Sequence, residues 1–143
     1  MNTFRVLIVE DEPLIVLALE DVLLDAGFEV GGVAGSQAEA LRIAAATRPS
    51  FAVVDVQLFP GDGLFVAREL VRRYGTAVLM ATSCSQEVEV LAATGALACL
   101  PKPYDIRDVP AALRGISDLR DGRPGPRFPA NMFSLRDLEP MAA

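Results

Sequence analysis

Five times in succession a short apolar run is followed by a stretch with helical spacing, and that alternation constrains this chain more than any other feature. Phe4-Arg5-Val6-Leu7-Ile8-Val9 reads as a buried strand rich in β-branched residues. Pro13 sits where a first helical turn tolerates it, and the helix runs to about Gly27, a residue suited to the position just past a helix end. Phe28 to Ala34 forms a second strand. Ser36-Gln37-Ala38-Glu39 has capping-box spacing and opens a second helix, which Pro49 closes. Phe51-Ala52-Val53-Val54 is a third strand, followed by the turn-rich Phe59-Pro60-Gly61-Asp62-Gly63 and a helix with Leu64, Ala67, Leu70 or Val71, and Tyr74 on one face. Thr76 to Ala81, a helix over roughly 86 to 94, the run Leu97-Ala98-Cys99-Leu100 and a helix aligning Ile106, Val109, Leu113 and Ile116 complete the series. Strands with near-continuous apolar runs predict a parallel sheet covered on both faces. Right-handed crossovers then favour a doubly wound α/β sheet of five strands in the order 2-1-3-4-5.

The chain has 143 residues, the length of one domain. Its 52% hydrophobic and 22% charged residues exclude wholesale disorder. A net charge of −6 argues against a nucleic-acid partner, because binding a phosphate backbone calls for basic surface. The sequence has no histidine, which removes Ser-His and Cys-His nucleophile pairs and His metal ligands together. Cys84 and Cys99 form no CxxC pair and read as reduced packing thiols. No stretch resembles a signal peptide or approaches the ~20 apolar residues of a membrane span, so a cytoplasmic location is expected. Residues 1–119 hold the alternating pattern. Residues 120–143 begin with Arg123-Pro124-Gly125-Pro126-Arg127-Phe128-Pro129, which cannot continue a helix, yet Phe128, Met132, Phe133, Leu135 and Leu138 suit docking on the same or a neighbouring chain.

Chemistry in such a sheet sits at the carboxyl ends of the strands. Glu10-Asp11 ends the first, Asp55 the third, Thr82-Ser83 the fourth, and Lys102-Pro103 follows the fifth. Three crowded carboxylates repel one another and call for a cation. A hard divalent ion such as Mg²⁺ or Mn²⁺ takes oxygen ligands, and Lys102 adds a further positive charge. A site neutralised in this way can accept a phosphoryl group, with a carboxylate as nucleophile and an aspartyl phosphate as product.

These stretches resemble the receiver domain of two-component response regulators. The match runs through Val6-Leu7-Ile8-Val9-Glu10-Asp11-Glu12-Pro13, Val53-Val54-Asp55-Val56-Gln57-Leu58 with Gly63 closing the loop, Ala81-Thr82-Ser83, and Leu100-Pro101-Lys102-Pro103-Tyr104. The resemblance implies a flavodoxin-like fold and a stand-alone phosphoryl-accepting switch rather than an enzyme. Asp55 is then the phosphoacceptor, served by a sensor histidine kinase or histidine phosphotransfer protein. Asp11, Asp55 and the backbone carbonyl of Gln57 bind Mg²⁺, and Glu10 joins them through a metal-bound water. Thr82 is the switch hydroxyl, Lys102 pairs with the phosphoryl oxygens, and the Lys102-Pro103 bond is cis. Helix 4, strand 5 and helix 5 form the output face toward a downstream protein, with a homodimer as a further expectation. Gln57 and Cys84 occupy positions that tune phosphoryl lifetime.

Three positions depart from the family pattern. Glu10 replaces the commoner Asp, Pro60 stands one residue late in its loop, and Cys99 stands where Tyr or Phe is frequent. The third leaves Tyr104, or repacking of helix 4, to relay the movement of Thr82. Two other readings compete. A degenerate receiver would act as an interaction module without phosphorylation. A phosphohydrolase with an aspartate nucleophile would need a general acid, and Gln57 stands where it should be.

Overall fold

The computed structural model describes residues 4–83, 88–125 and 127–136. Its elements follow the anticipated alternation: β1 (Arg5–Val9), α1 (Pro13–Asp25), β2 (Glu29–Ala34), α2 (Gln37–Thr47), β3 (Phe51–Asp55), α3 (Gly63–Tyr74), β4 (Ala77–Thr82), α4 (Val88–Ala92), β5 (Ala98–Pro101), a 3₁₀ turn (Ile106–Asp108), α5 (Val109–Arg120) and β6 (Phe133–Ser134). The sheet order is β2-β1-β3-β4-β5-β6, with β1 to β5 parallel.

The period of two along each strand divides the core. Val6 and Ile8 of β1 enter one layer with Leu19 and Leu23 of α1 and Leu113 and Ile116 of α5. Leu7 and Val9 enter the other with Ala40 and Ala44 of α2 and Val66 and Leu70 of α3. All of these residues are fully buried. The α2 start is capped as its spacing predicts. Ser36 Oγ accepts from the Glu39 N–H at 3.2 Å, and Glu39 Oε1 accepts from the Gly35 N–H at 2.7 Å. Among the described residues no helix is long and apolar enough to cross a membrane.

The five-stranded expectation is corrected by one strand. Phe133–Ser134 pairs antiparallel with the outer edge of β5, Cys99 opposite Phe133 and Ala98 opposite Ser134. The Leu135 N–H extends the pairing to the Leu97 carbonyl at 2.9 Å. A two-residue strand is too short to show periodicity, and its Pro- and Gly-rich approach reads as loop. Met132 is buried in the α1/α5 layer and Leu135 in the opposite one. Leu138 lies outside the described residues.

Candidate functional site

β1 and β3 are neighbours from which the chain departs in opposite directions, so a crevice opens at their carboxyl ends. Three carboxylates meet there. Glu10, Asp11 and Asp55 each offer an oxygen within 4.8 Å of the others. Glu10 and Asp55 are buried, whereas Asp11 faces solvent.

Asp55 is held from two sides. Its Oδ2 lies 3.0 Å from Lys102 Nζ, and its Oδ1 accepts from the Gln57 N–H at 2.9 Å. Lys102 is positioned by its own backbone, whose N–H donates to the Thr82 carbonyl at 2.6 Å. Thr82 ends β4 and is almost wholly buried beside this edge. The Lys102-Pro103 peptide is cis, as the resemblance implies; Phe59-Pro60 is cis as well.

The loop after β3 folds back onto the acidic pair. The Phe59 N–H donates to Asp11 Oδ2 at 3.2 Å. The loop closes at Gly63, where a Cβ would run into the Asp55 carbonyl oxygen and stand 2.8 Å from Val56 Cα. Only glycine permits that approach. Across the mouth of the site the Gln57 amide donates to Ser83 Oγ at 2.6 Å, tying the β3 loop to the β4 loop.

The electrostatics follow from crowding. Burial, reinforced by the nearby charge of Asp55, lifts the Glu10 carboxyl from its ordinary 4.5 to about 7, although the Glu12 N–H and Lys102 pull the other way. Burial and the negative field of Glu10 and Asp55 push the Tyr104 phenol up to about 12. Three carboxylates against one ammonium leave an uncompensated negative site with hard oxygen donors, which fits a divalent cation.

Every site residue expected from the sequence therefore lies at this one edge except Cys84, which falls outside the described residues. Sequence reading missed the Phe59 contact and a row of exposed leucines along α1. Leu14, Leu17 and Leu24 of α1 and Phe59 are 77%, 66%, 58% and 77% exposed. The signal was available: residues 14, 17 and 24 share one helical face, and Asp21 completes the i, i+3, i+7, i+10 spacing.

Residues 6–114 match the family described as the response regulator receiver domain. The transcriptional regulatory protein PdtaR of Mycobacterium tuberculosis is 36% identical over 120 residues, which span 82% of this chain and 58% of that protein. Among solved structures, a CheY-like receiver domain protein from Methanospirillum hungatei superposes with a TM-score of 0.73 at 25% identity, covering 85% of this chain and 97% of that one. The receiver domain of PhyR from Erythrobacter litoralis gives 0.69 at 25% identity, covering 82% and 92%.

Proposed function

Because the chain belongs to the response regulator receiver family, we propose that Asp55 accepts a phosphoryl group from the phosphohistidine of a sensor kinase or phosphotransfer protein. In that reaction an Asp55 carboxylate oxygen attacks phosphorus, the P–N bond breaks, and the histidine nitrogen leaves with the electron pair. The aspartyl phosphate later hydrolyses. Self-phosphorylation from small donors and autodephosphorylation are the turnover assigned to this chain.

Its own residues supply most of what the step needs. Lys102, already 3.0 Å from Asp55, binds phosphoryl oxygens and offsets their charge. Thr82 provides a hydroxyl for a further phosphoryl oxygen. Asp11, Asp55 and the Gln57 carbonyl would hold Mg²⁺ or Mn²⁺, and Glu10 would join them through water. When bound, the cation neutralises the carboxylates that would otherwise repel the incoming group. Leu14 and Leu17, in the first turns of α1 just after Glu10-Asp11, and Phe59, whose N–H bonds Asp11, offer exposed apolar surface beside the pocket to the phosphodonor.

The observation that carries this reading is the Lys102–Asp55–Glu10–Asp11 cluster at the carboxyl edge. Incubation with Mg²⁺ and acetyl phosphate followed by mass spectrometry tests it. A mass gain of one phosphoryl group, lost in Asp55→Asn, is the expected result. Donor turnover without gain would indicate a hydrolase, and neither gain nor turnover would indicate an interaction module.

A further inference from the structure

Residues 127–136 cross the molecule as a strap. Phe128 seats against Gly115 in the middle of α5, where a Cβ would lie 2.7 Å from Phe128 Cδ1 and 2.9 Å from the Arg127 carbonyl. A mid-helix glycine is a poorer helix former than alanine, so α5 gives up stability at the spot where the ring rests. Beyond it, Met132 enters one core layer and Leu135 the other. The seat is specific, yet little main chain holds it. β5 makes four register pairs with β4 on its inner side and two with β6 on its outer side. The strap is reached through Gly122 and Gly125, both at positive φ, rather than through regular structure.

β5 is four residues long. Its first half carries the strap, and directly beyond its end stands Lys102, whose ammonium holds Asp55. We infer that the strap is a detachable cover on the edge of β5, coupled through that strand to the acidic pocket and loosened when a tetrahedral anion is held on Asp55. The inference rests on the proposed phosphoacceptor role for the identity of that anion. An anion on Asp55 shifts the point that Lys102 must reach outward by at least a bond length. A strand this short follows Lys102 as one piece, and the side with fewer pairs yields. Release bares the Leu97 carbonyl and the outer backbone edge at Cys99 together with the seats of Met132, Phe133 and Leu135. Such an edge accepts an extended apolar segment of a partner as an added antiparallel strand.

Amide hydrogen exchange on the full chain tests this, comparing Mg²⁺ alone with Mg²⁺ and beryllium fluoride. Fluorine NMR reports separately whether the anion is bound. The expected result is a loss of protection at Phe133 and Leu135 of about tenfold or more, absent in Asp55→Asn. Unchanged or increased protection with the anion bound overturns the coupling. Failure of the anion to bind instead removes the phosphoacceptor reading, and this inference with it. Coupling is reciprocal, so opening the strap must tighten the pocket. Gly115→Ala, which displaces the ring, and Phe128→Ala, which removes it, are expected to lower the half-saturating beryllium fluoride concentration about fivefold or more. Equal or weaker binding in both variants overturns the proposal.

Discussion

Cys99 and Phe133 face each other across the β5–β6 pair, the thiol wholly buried and the ring half-buried against the same core layer. A half-buried ring thus stands next to residue 99 although residue 99 is not aromatic: it comes from another strand. Opposed residues in an antiparallel pair have Cα atoms about 4.5–5.5 Å apart, inside the range a disulfide spans. Phe133→Cys in a Cys84→Ser background is therefore expected to form a bond with Cys99 within one chain on mild oxidation. Non-reducing electrophoresis and thiol counting check it. A product dominated by covalent dimers would show that β6 does not lie on its own β5.

Removing the Lys102 ammonium takes away the positive charge nearest Asp55. Lys102→Ala is expected to slow phosphorylation by acetyl phosphate about a hundredfold. The same variant binds Mg²⁺ more tightly, because a competitor for the carboxylates is gone. A stopped-flow phosphorylation assay and a metal titration read the two opposite effects.

The pH dependence follows from Glu10, whose carboxyl is raised from 4.5 to about 7 by burial and by Asp55. The folded, metal-free protein holds that proton more firmly than the unfolded chain. The stability this contributes is present at low pH and is lost as pH rises from about 4.5 through about 7. A divalent cation must displace the proton, so its affinity weakens below about pH 7. Glu10→Gln is expected to flatten both profiles, as read by urea denaturation and by Mg²⁺ titration.

Gly63 allows the β3–α3 loop to touch the Asp55 backbone. Gly63→Ala is expected to cost about 2–4 kcal/mol and to lower Mg²⁺ affinity together with stability, since the loop that carries Gln57 must move. Chemical denaturation gives the first quantity and a metal titration the second.

The α1 leucines separate donor docking from chemistry. Leu14→Ser with Leu17→Ser is expected to leave acetyl phosphate labelling unchanged while reducing transfer from a phosphorylated donor protein about tenfold or more. Equal losses with both donors would place the effect in the pocket instead.

Much of this arrangement was legible in the sequence because it rests on short-range chemistry. The alternation of Val6 and Ile8 with Leu7 and Val9 announced a strand buried on both sides, and it is. Ser36 and Glu39 announced a capped helix. Glu10-Asp11, Asp55, Thr82 and Lys102 each interrupt or follow an apolar run, so strand ends alone placed them on a common edge. What escaped depended on contacts between distant segments. β6 exists because β5 offers an edge, not because Phe133-Ser134 has strand character. The Phe59 bond to Asp11 spans 48 positions and leaves no local trace.

Met132 closes one side of the sheet and Leu135 the other, only three positions apart. A ribosome delivers β5 well before it delivers either residue. The emerging chain therefore carries a bare strand edge and two unfilled seats until residues 132–135 follow, and during that interval its companions in the cell meet a stickier molecule than the one with the strap in place.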